Sequence, residues 1–131
     1  MAHSVKHYAS LDMAEVIFSG EMTGDDLRLS TSKAIQLQRM TGVVRFVVNI
    51  GDVEAAGLKP ETFDVLDNQY RSEGLSRTTR IAIILPRTAA TRKLASFYET
   101  GCQERGWNAQ ICADRNAAVE WLMNAERKQP A

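Results

Sequence analysis

Residues 43–50 read Val-Val-Arg-Phe-Val-Val-Asn-Ile, and side chains alternate between the two faces of an extended segment. Val44, Phe46, Val48 and Ile50 therefore share a wholly apolar face, while Val43, Arg45, Val47 and Asn49 share a mixed one. The same asymmetry recurs in three further runs. Ala14, Val16 and Phe18 oppose Glu15, Ile17 and Ser19, and Ile81, Ile83 and Leu85 oppose Arg80, Ala82 and Ile84. In residues 109–113, Gln110 and Cys112 occupy the weaker side. Another β-rich run, 5–10, is separated from 14–19 by three residues, a spacing suited to a hairpin, so it reads as an antiparallel edge strand.

Between these runs the apolar period changes to that of a helix. Thr23 caps a helix predicted over about 24–40, with Asp25 and Asp26 in its first turn and Gly42 after its end. Its core face carries Leu27, Ala34, Ile35 and Leu37, while Leu29 and Met40 fall far around the cylinder and are expected to be exposed. Pro60 opens a helix over about 60–73 that turns Phe63, Leu66 and Tyr70 inward. A third helix, about 88–105, follows Pro86, with Ala90, Leu94, Phe97 and Tyr98 as its stripe and Gly106 as its stop. Asp114 caps the last, about 115–126, where Ala118, Trp121, Leu122 and Ala125 recur at helical spacing.

With strands at about 5–10, 14–19, 43–50, 79–85 and 109–113, the pattern predicts one α/β domain over residues 1–131. A doubly wound sheet makes its inner strands near-continuous apolar runs, and these strands are not. Right-handed crossovers between parallel strands in sequential order instead put their helices on one side. The expected architecture is thus a βα superhelix with a mixed, mostly parallel five-stranded sheet, its first strand antiparallel at or near an edge. The weaker face then needs cover from the first strand's flank, the last helix or a second subunit. Ile17, Val47 and Ile84 form the apolar part of that face among Glu15, Arg45 and Arg80, so Ile17, Arg45, Val47 and Ile84 are a possible interface.

A chain of 131 residues is long enough for one sizeable core. Sixteen basic and sixteen acidic residues balance to zero, which supplies no global field for nucleic acid or an anionic membrane. The longest aliphatic run, 81–85, is too short to span a bilayer, and residues 1–10 lack an apolar leader core, so the expectation is a cytoplasmic protein without an integral membrane segment. Cys102 and Cys112, on a predicted helix and a predicted strand, read as reduced apolar residues.

No catalytic constellation is visible. His3 and His7 are four apart on an extended segment, which does not converge ligands, so neither a metal nor another cofactor is expected. With both histidines near the start, the body of the domain has no base for a nucleophilic triad. The candidate sites concern binding. Asp52 and Glu54 follow the carboxyl end of the central strand in a loop predicted over 51–59, where α/β folds place ligands, together with Val53 and Leu58. Arg87, Thr88, Thr91 and Arg92 surround a helix start whose open N–H groups favour an anion. A ligand there would set its anionic group near Thr88, Thr91 and Arg92 and its remainder over Val53 and Leu58.

Val16-Ile17-Phe18-Ser19-Gly20 before a capped helix, the 46–50 strand with its acidic continuation, residues 80–86, and Asp114-Arg115-Asn116-Ala117-Ala118-Val119-Glu120-Trp121-Leu122 together resemble the SpoIIAA-like family, within the wider STAS and Sec14-like fold. The resemblance covers nearly the whole chain. It implies a βα superhelix and either of two kinds of work: STAS modules bind protein partners, often under control of a phosphorylated serine, and Sec14-like relatives hold a lipid. The segment corresponding to the phosphoacceptor, residues 51–60, contains no serine, and Thr62 is the nearest hydroxyl. The reading is therefore a non-catalytic regulatory module that binds a protein partner or forms a homodimer. The alternatives are a carrier of a small apolar or phosphate-bearing ligand and, third, an enzyme of unknown reaction.

Overall fold

The structure, a computed structural model, describes residues 3–54, 59 and 61–124. It is an α/β fold in the order β1 (His3–Tyr8), a 3-10 turn (Ala9–Leu11), β2 (Met13–Glu21), α1 (Gly24–Thr41), β3 (Arg45–Glu54), α2 (Glu61–Glu73), β4 (Arg80–Ile84), α3 (Ala89–Glu104), β5 (Asn108–Cys112) and α4 (Arg115–Asn124). The sheet order is β1-β2-β3-β4-β5; β1 runs antiparallel to β2 and every other pair is parallel. Sequential order with right-handed crossovers leaves α1, α2 and α3 on one face.

The two faces of the sheet carry separate cores. Val16, Phe18, Phe46, Ile50, Ile81, Ile83 and Ala109 pack with Leu27 and Ile35 of α1, Leu66 and Tyr70 of α2, and Ala95 and Cys102 of α3. On the opposite face Met13, Val47, Ala82 and Cys112 pack with Ala118 and Leu122 of α4. The weaker face of the alternation is thus covered by the last helix of the same chain, with Tyr8, Ile84 and Trp121 at the rim of the cluster.

Local chemistry sets most of the boundaries. Thr23 accepts from the Asp26 N–H (3.1 Å), and the Asp26 carboxylate accepts from the Thr23 N–H (3.2 Å), a closed capping box. Gly42 ends α1 at φ 77°, a left-handed conformation that suits glycine, with its N–H bonded to the Gln38 carbonyl at 2.7 Å. The buried Gln38 side chain donates to the Val43 carbonyl and Thr79 Oγ1 and accepts from the Ser76 N–H, which ties the amino-terminal ends of β3 and β4 to α1.

The Thr23 backbone bond is the main cause that holds the Asp26 carboxyl below its ordinary value, against desolvation. A carboxyl with a depressed folded pKa adds stability above its unfolded value, near 3.8, and loses it as pH falls through the lower folded one. Asp26→Asn is accordingly expected to destabilise the protein at neutral pH, with the deficit shrinking as pH falls below 4. Urea unfolding at pH 7 and at pH 3 checks this, and an equal deficit at both would contradict it.

Two elements differ from the sequence expectation. The predicted loop over 51–59 begins with strand: β3 continues to Glu54 because β2 also runs on, pairing Ser19 with Asp52, Gly20 with Val53 and Glu21 with Glu54. A register shift between Ile17 and Ser19 inserts one extra residue into β3, and Asn49 Oδ1 accepts the Gly51 N–H there (3.2 Å). The extra residue reverses the parity, so that Val53 joins Ile50 in the helix-side core. On α3 the inward stripe is Thr91, Ala95 and Cys102 with Tyr98 partly covered, whereas Ala90 and Phe97 are exposed. The inward face of α3 is therefore offset from the expected stripe: it keeps Leu94 and Tyr98 and loses Ala90 and Phe97.

Candidate functional site

Between the helix-side face of the sheet and α1–α3 lies a cavity of about 100 Å³. Val16, Phe46, Val48, Ile50, Ile81 and Ile83 form its floor. Its roof comes from Leu27 and Ala34 of α1, Leu66 of α2, and Leu94 and Ala95 of α3. Interiors are ordinarily close-packed, so an opening of this size needs a cause. The cause is side-chain length: Ser30 and Ala34 on α1 and Thr91 and Ala95 on α3 are one turn apart on the inward faces of their helices, and all four are small. Larger neighbours such as Leu27, Leu66 and Tyr70 border the same space.

Among the described residues, no charged side chain lines the cavity. Its polar groups are hydroxyls, mostly committed elsewhere. Ser30 Oγ donates to the Leu27 carbonyl (3.1 Å), Thr79 Oγ1 accepts from Gln38 Nε2 (2.8 Å), and Thr91 Oγ1 donates to the Val53 carbonyl (3.4 Å). Thr31 contributes a further hydroxyl, and the Tyr70 and Tyr98 hydroxyls meet each other at 2.6 Å. Desolvation, the first cause for each, pushes both phenols well above their ordinary value, and the Cys102 thiol beside them is pushed up to about 11 by the same burial. Both cysteines are free and buried.

Behind the tyrosines is a smaller hollow of about 10 Å³, lined by Asp67, Cys102, Arg105 and Trp107 with Phe63, Tyr70 and Tyr98 shared between the two spaces. Asp67 accepts from Trp107 Nε1 at 2.7 Å and pairs with Arg71 at 3.3 Å and Arg105 at 3.6 Å. Arg105 also binds Asp64, so this ionic cluster joins α2 to the end of α3 outside the cavity.

The residues singled out in the sequence lie mostly elsewhere. Val53 and Thr91 are brought together as the parallel sheet requires, but inside the core rather than on a surface. Thr88 caps α3 by accepting the Thr91 N–H (3.2 Å) and donates to Thr91 Oγ1 (2.8 Å), and Arg92 Nε donates to the Pro86 carbonyl (2.7 Å). These groups hold the start of α3 against the end of β3. Arg87 comes near Gly51, where an added Cβ would lie 4.0 Å from its Nε. Asp52 and Glu54 belong to β3, and Leu58 lies outside the described residues. Of the possible interface residues, Val47 is fully buried and packs in the cluster under α4, with Ile84 beside it, Arg45 faces Asp12 at 3.6 Å, and Ile17 is half-buried.

The cavity itself is the feature that sequence reasoning missed. Its signal was present as small residues recurring at i, i+4 on two helices, Ser30 with Ala34 and Thr91 with Ala95. No family model matches the chain, and no curated protein matches it.

Proposed function

We propose that this chain is a non-catalytic binding module of the SpoIIAA-like type that takes up a small apolar molecule between its sheet and α1–α3. The observation that carries the reading is the cavity of about 100 Å³ with an uncharged lining. A dry apolar cavity of roughly 150 Å³ accepts benzene, so the space here suits a ligand no larger than about one six-membered ring. Bound ligand would replace missing contacts across the helix–sheet layer, and its presence or absence would bias how closely α1–α3 sit on the sheet.

Ala95→Leu is the discriminating variant, because Ala95 is buried and lines the cavity, where the longer side chain enters empty space. Benzene at about ten times its dissociation constant is expected to stabilise the parent by about 1.4 kcal/mol, a rise of a few degrees in Tm, and to leave Ala95→Leu unmoved. An equal rise in both proteins, or none in either, would overturn the reading. A native mass spectrum of freshly purified protein tests for a molecule carried from the host.

A partner-binding role through the outer helix surfaces is the second reading, favoured by Met40 and Phe97, which are 76% and 44% exposed. Under it Met40→Ser should reduce self-association in sedimentation while leaving benzene binding intact.

A further inference from the structure

The Tyr70–Tyr98 pair defines what the ligand must present. Tyr70 stands edge-on to Trp107 (5.5 Å between ring centres) and Tyr98 is tilted against Phe63 (5.6 Å), so both rings are fixed. Their two hydroxyls carry two hydrogens, and one hydrogen fills the 2.6 Å contact between the oxygens. The second must point elsewhere. The Cys102 thiol is in hydrogen-bonding reach of Tyr98, but sulfur is a weak acceptor. Among the described residues, no other side-chain or backbone oxygen lies within hydrogen-bonding distance of either phenol, so Ser30, Thr31, Thr79 and Thr91 do not take it.

Resting on the cavity reading above, we propose that the ligand is an uncharged, ring-sized carbonyl compound whose oxygen accepts that second hydrogen from the Tyr70–Tyr98 pair. A carbonyl only accepts, so it brings no hydrogen of its own to satisfy, and the remainder of the ring meets the apolar floor of Phe46, Ile81 and Ile83. An anionic ligand fits poorly. The lining supplies no cation, and burial already pushes Tyr70, Tyr98 and Cys102 toward their neutral forms. Asp67, in the adjoining hollow, adds negative charge rather than relieving it.

The test compares cyclohexanone, cyclohexane and cyclohexanecarboxylate by amide-shift titration of the parent and of Tyr70→Phe/Tyr98→Phe. Removing both hydroxyls together leaves no orphaned partner between the rings, so the double variant is expected to fold, and cyclohexane serves as its internal control. Cyclohexanone affinity should fall about tenfold in the double variant while cyclohexane stays within about twofold and the carboxylate binds neither protein. Equal loss for cyclohexane and cyclohexanone, no loss for either, or tightest binding by the carboxylate would overturn the carbonyl assignment while leaving the cavity as a binding site. Failure of both neutral rings to bind the parent would overturn the assignment and the cavity reading together.

Discussion

Leu122→Ala is expected to lower the unfolding free energy by about 3 kcal/mol, the middle of the range for deleting a fully buried leucine. Leu122 has no exposure and sits with Ala118 on Val47 and Ala82, at the centre of the smaller core. Ala118 is small enough to let α4 approach the sheet closely, and that same closeness leaves little room for the helix to collapse into a new hole. The loss should appear in chemical denaturation as a lower midpoint at unchanged m-value. A cost under about 1 kcal/mol would mean that α4 contributes little to the stability of the fold.

Arg115→Ala should cost about 2 kcal/mol, more than an ordinary surface substitution, because of what it leaves behind. Glu15 is buried on the α4 side of the sheet, with 3% of its surface exposed, and its carboxylate meets Arg115 at 2.6 Å, Asn49 Nδ2 at 3.3 Å and the Tyr8 hydroxyl at 3.5 Å. The Arg115 guanidinium also lies 5.6 Å from the Tyr8 ring. Its side chain remains partly in water, which keeps the penalty below that of a fully buried pair. Adding Glu15→Gln removes the stranded charge, so the double variant should recover about half of the loss in denaturant titrations. A double variant less stable than Arg115→Ala would show that the carboxylate is satisfied without the arginine.

The alternation that exposed the sheet in the sequence works because one face of each strand is buried against three helices. Phe46, Val48 and Ile50 needed no other information, and neither did the capping signals at Thr23, Gly42 and Asp114, since each acts within four residues of itself. The alternation fails just ahead of β3, where Val43 rather than Val44 packs in the helix-side core. Leu29 and Met40 were placed outward by angle alone, and both are exposed. Readings failed where the deciding contact was distant. Glu15 reads only as a polar member of the weaker face until Arg115, a hundred positions later, arrives beside it. The extra residue in β3 depends on how far β2 runs alongside, so Val53 and its neighbours were assigned to a loop.

The candidate site was less legible than the fold for a related reason. A helix face that borders empty volume carries small side chains, and on α3 Thr91, Ala95 and Cys102, which share the inner side with Leu94, look less like core positions than Ala90 and Phe97 do. Charged residues at the sheet's carboxyl edge drew attention to that edge because ion binding has strong sequence signals. An apolar cavity has almost none: its lining differs from ordinary core only in what it fails to fill.

A benzene titration followed through the methyl resonances tests the cavity most directly. Binding in the helix-side layer predicts saturable shifts at Val48, Leu66 and Ile83 with Val47, Ala82 and Leu122 unmoved, and it predicts their disappearance in Ala95→Leu. Shifts that grow linearly without saturation, or that spread equally to the α4 face, would contradict it.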